Sequence, residues 1–307
     1  MSITPPQAAR RVAYDEPEEG TRTESALSEA ATAVSRETGL PKPPTTRTIV
    51  IANQKGGVGK TTTAVNLATA LALGGLTVLV IDLDPQGNAS TALGIEHGEG
   101  VAGTYEVVTQ GAAISELVQA SPEAPGLWVL PATVDLAGAE VGLVNVPARE
   151  SKLLHALSSF REQYQPDYVF IDCPPSLGLL TVNALVAAQE IMIPIQCEYY
   201  ALEGVTQLLR TINLVKGSMN DQLYLSTVLL TMFDSRTRLA SQVSEEVRKH
   251  FPKETLEATI PRSVRVSEAP SYGQSVINYH AASAGAQAYL AAAVEVAQRG
   301  AETKEMK

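Results

Sequence analysis

Short runs of consecutive apolar residues recur along the chain, separated by segments with helical spacing. The runs occupy residues 48–52, 77–81, 127–130, 168–171, 190–195 and 223–230. Each has the length of a strand and lacks the polar alternation of a strand with one wet face. Apolar positions spaced near 3.6 fill the gaps, at residues 61–73, 150–164, 179–188, 204–215, 241–250 and 284–298. Buried strands alternating with amphipathic helices predict an α/β fold: a doubly wound, mostly parallel sheet with helices on both faces. No internal repeat breaks the alternation, so one domain is expected over residues 46–300.

The ends differ. Residues 1–45 carry Pro5, Pro6, Pro17, Pro41, Pro43 and Pro44, an acidic cluster from Asp15 to Glu19, and few large apolar side chains. Such a segment cannot bury enough surface to offset its ordering entropy, which predicts a disordered extension. One short helix is expected at residues 24–36, stopped by Gly39 and Pro41. Residues 301–307 are expected to be a flexible tail.

Composition and charge narrow the function. Cys173 and Cys197 are the two cysteines and show no metal or redox spacing, which suits free thiols in a reducing cytoplasm. No apolar run approaches the roughly 20 residues of a membrane span, and no signal peptide is evident. The net charge of −10 argues against a global attraction to nucleic acid. It is unevenly spread, however. Residues 46–203 hold 6 Lys/Arg against 16 Asp/Glu, whereas residues 204–280 hold 9 against 7. Any DNA contact is therefore expected on the C-terminal half, as a local patch.

The strongest chemical signal is Lys55-Gly56-Gly57-Val58-Gly59-Lys60-Thr61-Thr62, set between a strand and a helix. Glycines let successive N–H groups point at one phosphate, and the helix N-terminus adds its positive end. Lys60 is placed to reach the β- and γ-phosphates, and the Thr61 hydroxyl to bind Mg²⁺. Two further acidic segments end strands: Asp82-Leu83-Asp84 and Asp172-Cys173-Pro174-Pro175. Ligands bind beyond the carboxyl ends of strands in such sheets, so all three acids are expected to face the loop. Asp172 is the candidate for the Mg²⁺ shell, through water. A strand-end Asp also serves as a cap or turn residue, and for Asp82 ligand and support stay open.

The standard phosphate loop begins with Gly where this chain has Gln54, and a second lysine, Lys55, follows it. This form resembles the deviant Walker A family, which includes ParA, MinD and the nitrogenase iron protein. The resemblance implies that Lys55 crosses an ATP-bound dimer to the partner's phosphates. It also implies that Asp84 positions the attacking water and that Asp82 supports the Mg²⁺ network.

Further segments are similar to the ParA/Soj branch over roughly residues 46–295. They are Ala52-Asn53-Gln54-Lys55, the stretches that follow Asp82 and Asp172, Pro194 to Gly204, Thr231 to Thr237, and Ile260 to Ser271. This resemblance implies a cytoplasmic, nucleoid-associated, Mg-ATP-dependent homodimer that binds nonspecific double-stranded DNA. Hydrolysis, weak alone and stimulated by a ParB-type centromere-binding protein, would release it, and the cycle would segregate chromosomes or plasmids. The adenine would lie against Pro261-Arg262-Ser263. Many relatives carry Asn where this chain has Ser263, so Pro261 and the local backbone are the expected contacts. The DNA-contacting arginines fall on Arg236 and Arg265, while Arg238, Arg248 and Lys249 are expected to be solvated.

Three rivals fit less well. A MinD-like membrane ATPase needs a basic amphipathic anchor, whereas residues 291–307 carry small residues, three Glu, and Arg299, Lys304 and Lys307. An iron–sulfur carrier needs an exposed cysteine, and both cysteines read as buried. A non-catalytic DNA-binding module has no use for Lys55, Lys60, Asp84 and Asp172 together.

Overall fold

The computed structural model describes residues 39–199 and 201–302; the expected helix at 24–36 and the tail from residue 303 lie outside the described residues. The chain alternates strands and helices as the pattern predicts. β1 (Arg47–Ile51) runs through the glycine loop into α1 (Lys60–Leu73), and β2 (Val78–Asp82) follows. Short helices α2 (Asn88–Ala92), α3 (Thr104–Gln110) and α4 (Ile114–Leu117) precede β3 (Gln119–Ala120) and β4 (Leu127–Leu130). Next come α5 (Ala139–Gly142), α6 (Lys152–Tyr164), β5 (Tyr168–Asp172), α7 (Leu179–Ala187) and β6 (Glu190–Gln196). α8 (Ala201–Ser218), β7 (Tyr224–Phe233), α9 (Arg238–His250) and β8 (Thr255–Pro261) continue the winding. α10 (Val264–Glu268), α11 (Val276–Tyr279) and α12 (Ala284–Glu302) close it.

The eight strands order as β3-β4-β2-β5-β1-β6-β7-β8, all parallel except β3. Successive side chains of a strand point to opposite faces. Ile49, Ile51, Val78, Val80, Tyr168 and Phe170 therefore pack one way, against alanines of α1 and α12 such as Ala64, Ala68 and Ala292. Val50, Leu79, Ile81, Val169 and Ile171 pack the other way, against Leu153, Leu157, Leu185 and Leu208 of α6, α7 and α8. Both faces are buried, which is why the strands read as continuous apolar runs.

Polar contacts pin the far end of the sheet. Arg47 Nε donates to Glu190 Oε1 at 2.7 Å, joining β1 to β6. Its Nη1 donates to the Val296 carbonyl at 2.9 Å, tying α12 to the same point.

Residues just before β1 also touch the domain. Leu40 is buried, and its N–H donates to the Gly74 carbonyl at 2.9 Å. Lys42 pairs with Asp167. Composition hid this because one leucine among prolines supplies the anchor. Two strands went unread. β3 is two residues long, and β8 is an edge strand whose Glu257 and Thr255 interrupt the apolar run. α9 starts a turn earlier than expected, because the Thr237 hydroxyl caps it by accepting from the Ala240 N–H.

Candidate functional site

The glycine loop joins the carboxyl end of β1 to the N-terminus of α1. Gly57 and Gly59 have φ of 73° and 90°, conformations that strain any residue with a Cβ. Gly56 and Gly57 are exposed with open space where a side chain would stand. No side chain caps α1 and no acid lies in its first turn, so its positive end and the loop N–H groups are left for an anion. Val58 is buried, Thr61 and Thr62 are half-buried, and Lys60 is buried along the loop with its ammonium near the Lys55 carbonyl.

The loop is fixed from beneath by β7. The Thr231 hydroxyl donates to the Val58 carbonyl at 2.9 Å, and its methyl faces Gly59. Asn53 braces the entry, donating to the Pro194 carbonyl at 2.8 Å and accepting from the Lys55 N–H at 3.0 Å. Thr231 escaped the sequence reading because it lies 171 residues from Lys60 and only the sheet order brings them together.

The three acids converge as expected, but their surroundings divide them. Asp82 and Asp172 are register partners across β2 and β5, and both are fully buried. Asp82 Oδ2 accepts from the Ser90 N–H at 2.9 Å and the Ser90 hydroxyl at 2.8 Å, and Oδ1 from the Asp84 N–H at 3.1 Å. Burial pushes its pKa up to about 6, with those donors holding it back. A carboxylate engaged this way is built to shape the Asp84 turn and α2, which favours support over metal ligation.

Asp172 is the opposite case. Neither of its oxygens has a well-formed hydrogen bond, though the Thr61 hydroxyl lies close by. Burial and then the charge of Asp82 hold its pKa well above the carboxylate range, while the nearby Thr61 hydroxyl and Lys60 ammonium oppose them. Burial lowers the pKa of Lys60, and Asp172 and Asp84 resist that drop, so these groups share one electrostatic site. Asp84 itself is half-buried in a turn, with its Oδ1 accepting from the Gln86 N–H at 3.0 Å. The described residues include no cluster of three or more His, Cys, Asp or Glu side chains suited to a metal. One uncompensated carboxylate beside a threonine hydroxyl and a phosphate cradle fits Mg²⁺, which keeps waters and borrows phosphate oxygens.

Lys55 is held within its own protomer, its Nζ donating to Glu198 Oε2 at 2.8 Å. Arg262 reaches the other oxygen of Glu198 at 3.9 Å. The Pro261-Arg262-Ser263 segment lies one strand beyond Thr231: Pro261 pairs with Phe233, and the Arg262 N–H donates to the Phe233 carbonyl. Ser263 is half-buried against Gly285 at the start of α12. Arg236 follows β7 and Arg265 lies on α10 after β8, both exposed at the same end of the sheet. Arg248 is half-buried, donating to the Glu257 carbonyl and lying near its carboxylate. Cys173 and Cys197 are buried free thiols whose pKa values burial raises, as expected of structural cysteines. Among the described residues no helix is long and apolar enough to cross a membrane.

Fold and site together define a P-loop nucleotide-binding protein with a second loop lysine. A family model described as an AAA domain matches residues 46–225. The chain is 51% identical over 252 residues to the sporulation initiation inhibitor protein Soj of Bacillus subtilis, covering 82% of this chain and 98% of that one. It is 52% identical over 254 residues to the chromosome partitioning protein ParA of Myxococcus xanthus, covering 82% and 88%. Among solved structures it is similar to a Mycobacterium smegmatis cobyrinic acid a,c-diamide synthase with bound ADP and magnesium, at TM-score 0.72 and 36% identity over 85% of this chain and 97% of that one. The Mg-ADP complex of MinD from Pyrococcus horikoshii matches at TM-score 0.65 and 25% identity, covering 82% and 96%. The chain belongs to the ParA/Soj family of chromosome-partitioning ATPases.

The Asp172 environment yields a prediction. In nucleotide-free protein, Asp172→Asn removes a carboxyl whose ionisation is opposed by burial and by Asp82, a cost to the fold that is present above the ordinary carboxylate pKa. It is expected to raise the melting temperature at pH 7 by about 3 °C while abolishing Mg²⁺-dependent nucleotide affinity. A melting temperature at or below that of wild type would contradict the reading.

Proposed function

We propose that the protein is a Mg-ATP-dependent dimerising ATPase that binds nonspecific double-stranded DNA in its ATP state. A ParB-type centromere-binding partner stimulates its weak hydrolysis, and the cycle segregates chromosomes or plasmids in the cytoplasm, over the nucleoid. The observation that carries this reading is the pairing of a complete phosphate cradle with Lys55. That lysine is not needed to close its own loop, since its side chain reaches out to Glu198.

Within a protomer, Gly56 to Thr62 wrap the triphosphate, and the Lys60 ammonium lies against its β- and γ-oxygens. Thr61, with Asp172 through water, would hold Mg²⁺, which supplies charge neutralisation on the phosphates. Asp84, on a turn held by Asp82 and Ser90, orients a water for attack on the γ-phosphate. Lys55 leaves Glu198 and reaches the partner's phosphates, so the dimer forms only around ATP. Pro261 and the backbone at Ser263 pack against the adenine. Arg236 and Arg265 from both protomers form one basic face, and two weak patches become one bivalent site on DNA. Binding by phosphate neutralisation needs no base readout and falls as salt rises.

A membrane-positioning role like that of MinD has less support. The last described helix, α12, buries ten of its residues in the domain and carries only Arg299 as a base near its end.

The test separates grip, dimer and chemistry. Lys55→Ala is expected to bind a fluorescent ATP analogue yet remain monomeric in ATP by light scattering. A Lys55→Ala protein that dimerises as wild type does would refute the role of this lysine. Asp84→Ala is expected to dimerise and stay on DNA, with turnover reduced about 10²-fold or more. Wild-type turnover in that variant would remove Asp84 from the mechanism.

A further inference from the structure

We propose that Asp234 and Glu268 are intramolecular competitors for DNA phosphate: each occupies the donor face of the arginine beside it and holds the affinity of the basic face low. The inference rests on the assignment of Arg236 and Arg265 to that face and adds what opposes them.

Arg236 Nε donates to Asp234 Oδ1 at 2.9 Å and Nη2 to Oδ2 at 2.9 Å. Two parallel bonds into one anion are how a guanidinium takes a phosphate. The Arg236 N–H donates to the same carboxylate at 3.1 Å. On the neighbouring segment, Arg265 Nη1 donates to Glu268 Oε2 at 2.9 Å, and the Tyr279 hydroxyl donates to that oxygen at 3.3 Å. A carboxylate thus faces each of the two arginines expected to meet DNA, through two side-chain bonds at Arg236 and one at Arg265.

In the first pair the acid is the anchored member. The Asp234 side chain is 24% exposed against 73% for Arg236. Its backbone carbonyl accepts from both the Thr237 N–H and the Thr237 hydroxyl, which fixes the turn. Arg236 depresses the Asp234 pKa to about 2, so protonation does not remove the competing charge at neutral pH. Exposed ion pairs of this kind add little to folding, so stability does not account for them. Their larger effect falls on an incoming anion. A unit charge about 5 Å from a phosphate in water weakens the contact on the order of 4-fold, and the effect multiplies across two protomers. A protomer with paired arginines binds DNA poorly, whereas the bivalent dimer still holds.

The amide variants isolate the charge, because Asn and Gln keep an oxygen that can accept from the same arginine. Affinity for a short random-sequence duplex is measured against salt in ATP for wild type, Asp234→Asn, Glu268→Gln, Arg236→Glu and Arg265→Glu, with dimerisation checked by light scattering. Each amide variant is expected to bind on the order of 10-fold more tightly as a dimer at low salt, with a steeper salt dependence, while each arginine reversal loses DNA. If the reversals lose DNA but the amides bind as wild type or more weakly, the competition is overturned and the arginine face stands. If the reversals bind as wild type does, the face itself is wrong and the competition falls with it.

Discussion

Asp172 ends the strand that lies between β1 and β2, with both carboxylate oxygens buried and no well-formed hydrogen bond to either, the Thr61 hydroxyl lying close by. Burying a carboxylate with so little to offset the loss of water is costly, and it pushes the pKa of the group upward. The rest of the site is arranged around that constraint. β5 delivers the carboxylate beside Asp82, α1 brings Lys60 and Thr61 to it, and β7 fixes the loop through Thr231. Keeping such a group costs stability, and under the proposed function it would give a cation a place to dock. Asp82 shows the alternative. At the same depth on the adjacent strand it is satisfied by Ser90 and the Asp84 N–H, and it serves as scaffold.

A second theme is that cations expected to act on other molecules are first engaged at home. Lys55 meets Glu198, Arg236 meets Asp234 and Arg265 meets Glu268. Each exchange of an internal carboxylate for an external phosphate is close to neutral in energy when the groups are half exposed. Small differences then decide it, and under the proposed cycle the nucleotide and a second protomer would supply them.

Much of this was legible in the sequence because its chemistry is local. The loop glycines, Lys60, Thr61 and the strand-end acids announce themselves by spacing, and burial of both sheet faces leaves continuous apolar runs. What stayed hidden depends on contacts across the sheet. Thr231 beneath the loop, Ser90 on Asp82 and Glu198 on Lys55 carry no spacing signal. β8 was obscured because an edge strand has one wet side, and Leu40 because one apolar anchor does not change the composition of its segment. Spacing also gave no means of dividing Asp82 from Asp172. Only the hydrogen-bond donors around each one do that.

Burial and the charge of Asp82 together resist ionisation of Asp172, and a cation docking beside it would favour the charged form. Infrared difference spectroscopy at neutral pH, comparing nucleotide-free protein with protein given Mg-ATP, reads this directly. The account predicts that a protonated carboxyl band present without nucleotide disappears on adding Mg-ATP, and that Asp172→Asn lacks the band throughout. A wild-type spectrum without that band, or one in which it persists unchanged with Mg-ATP bound, would contradict the account.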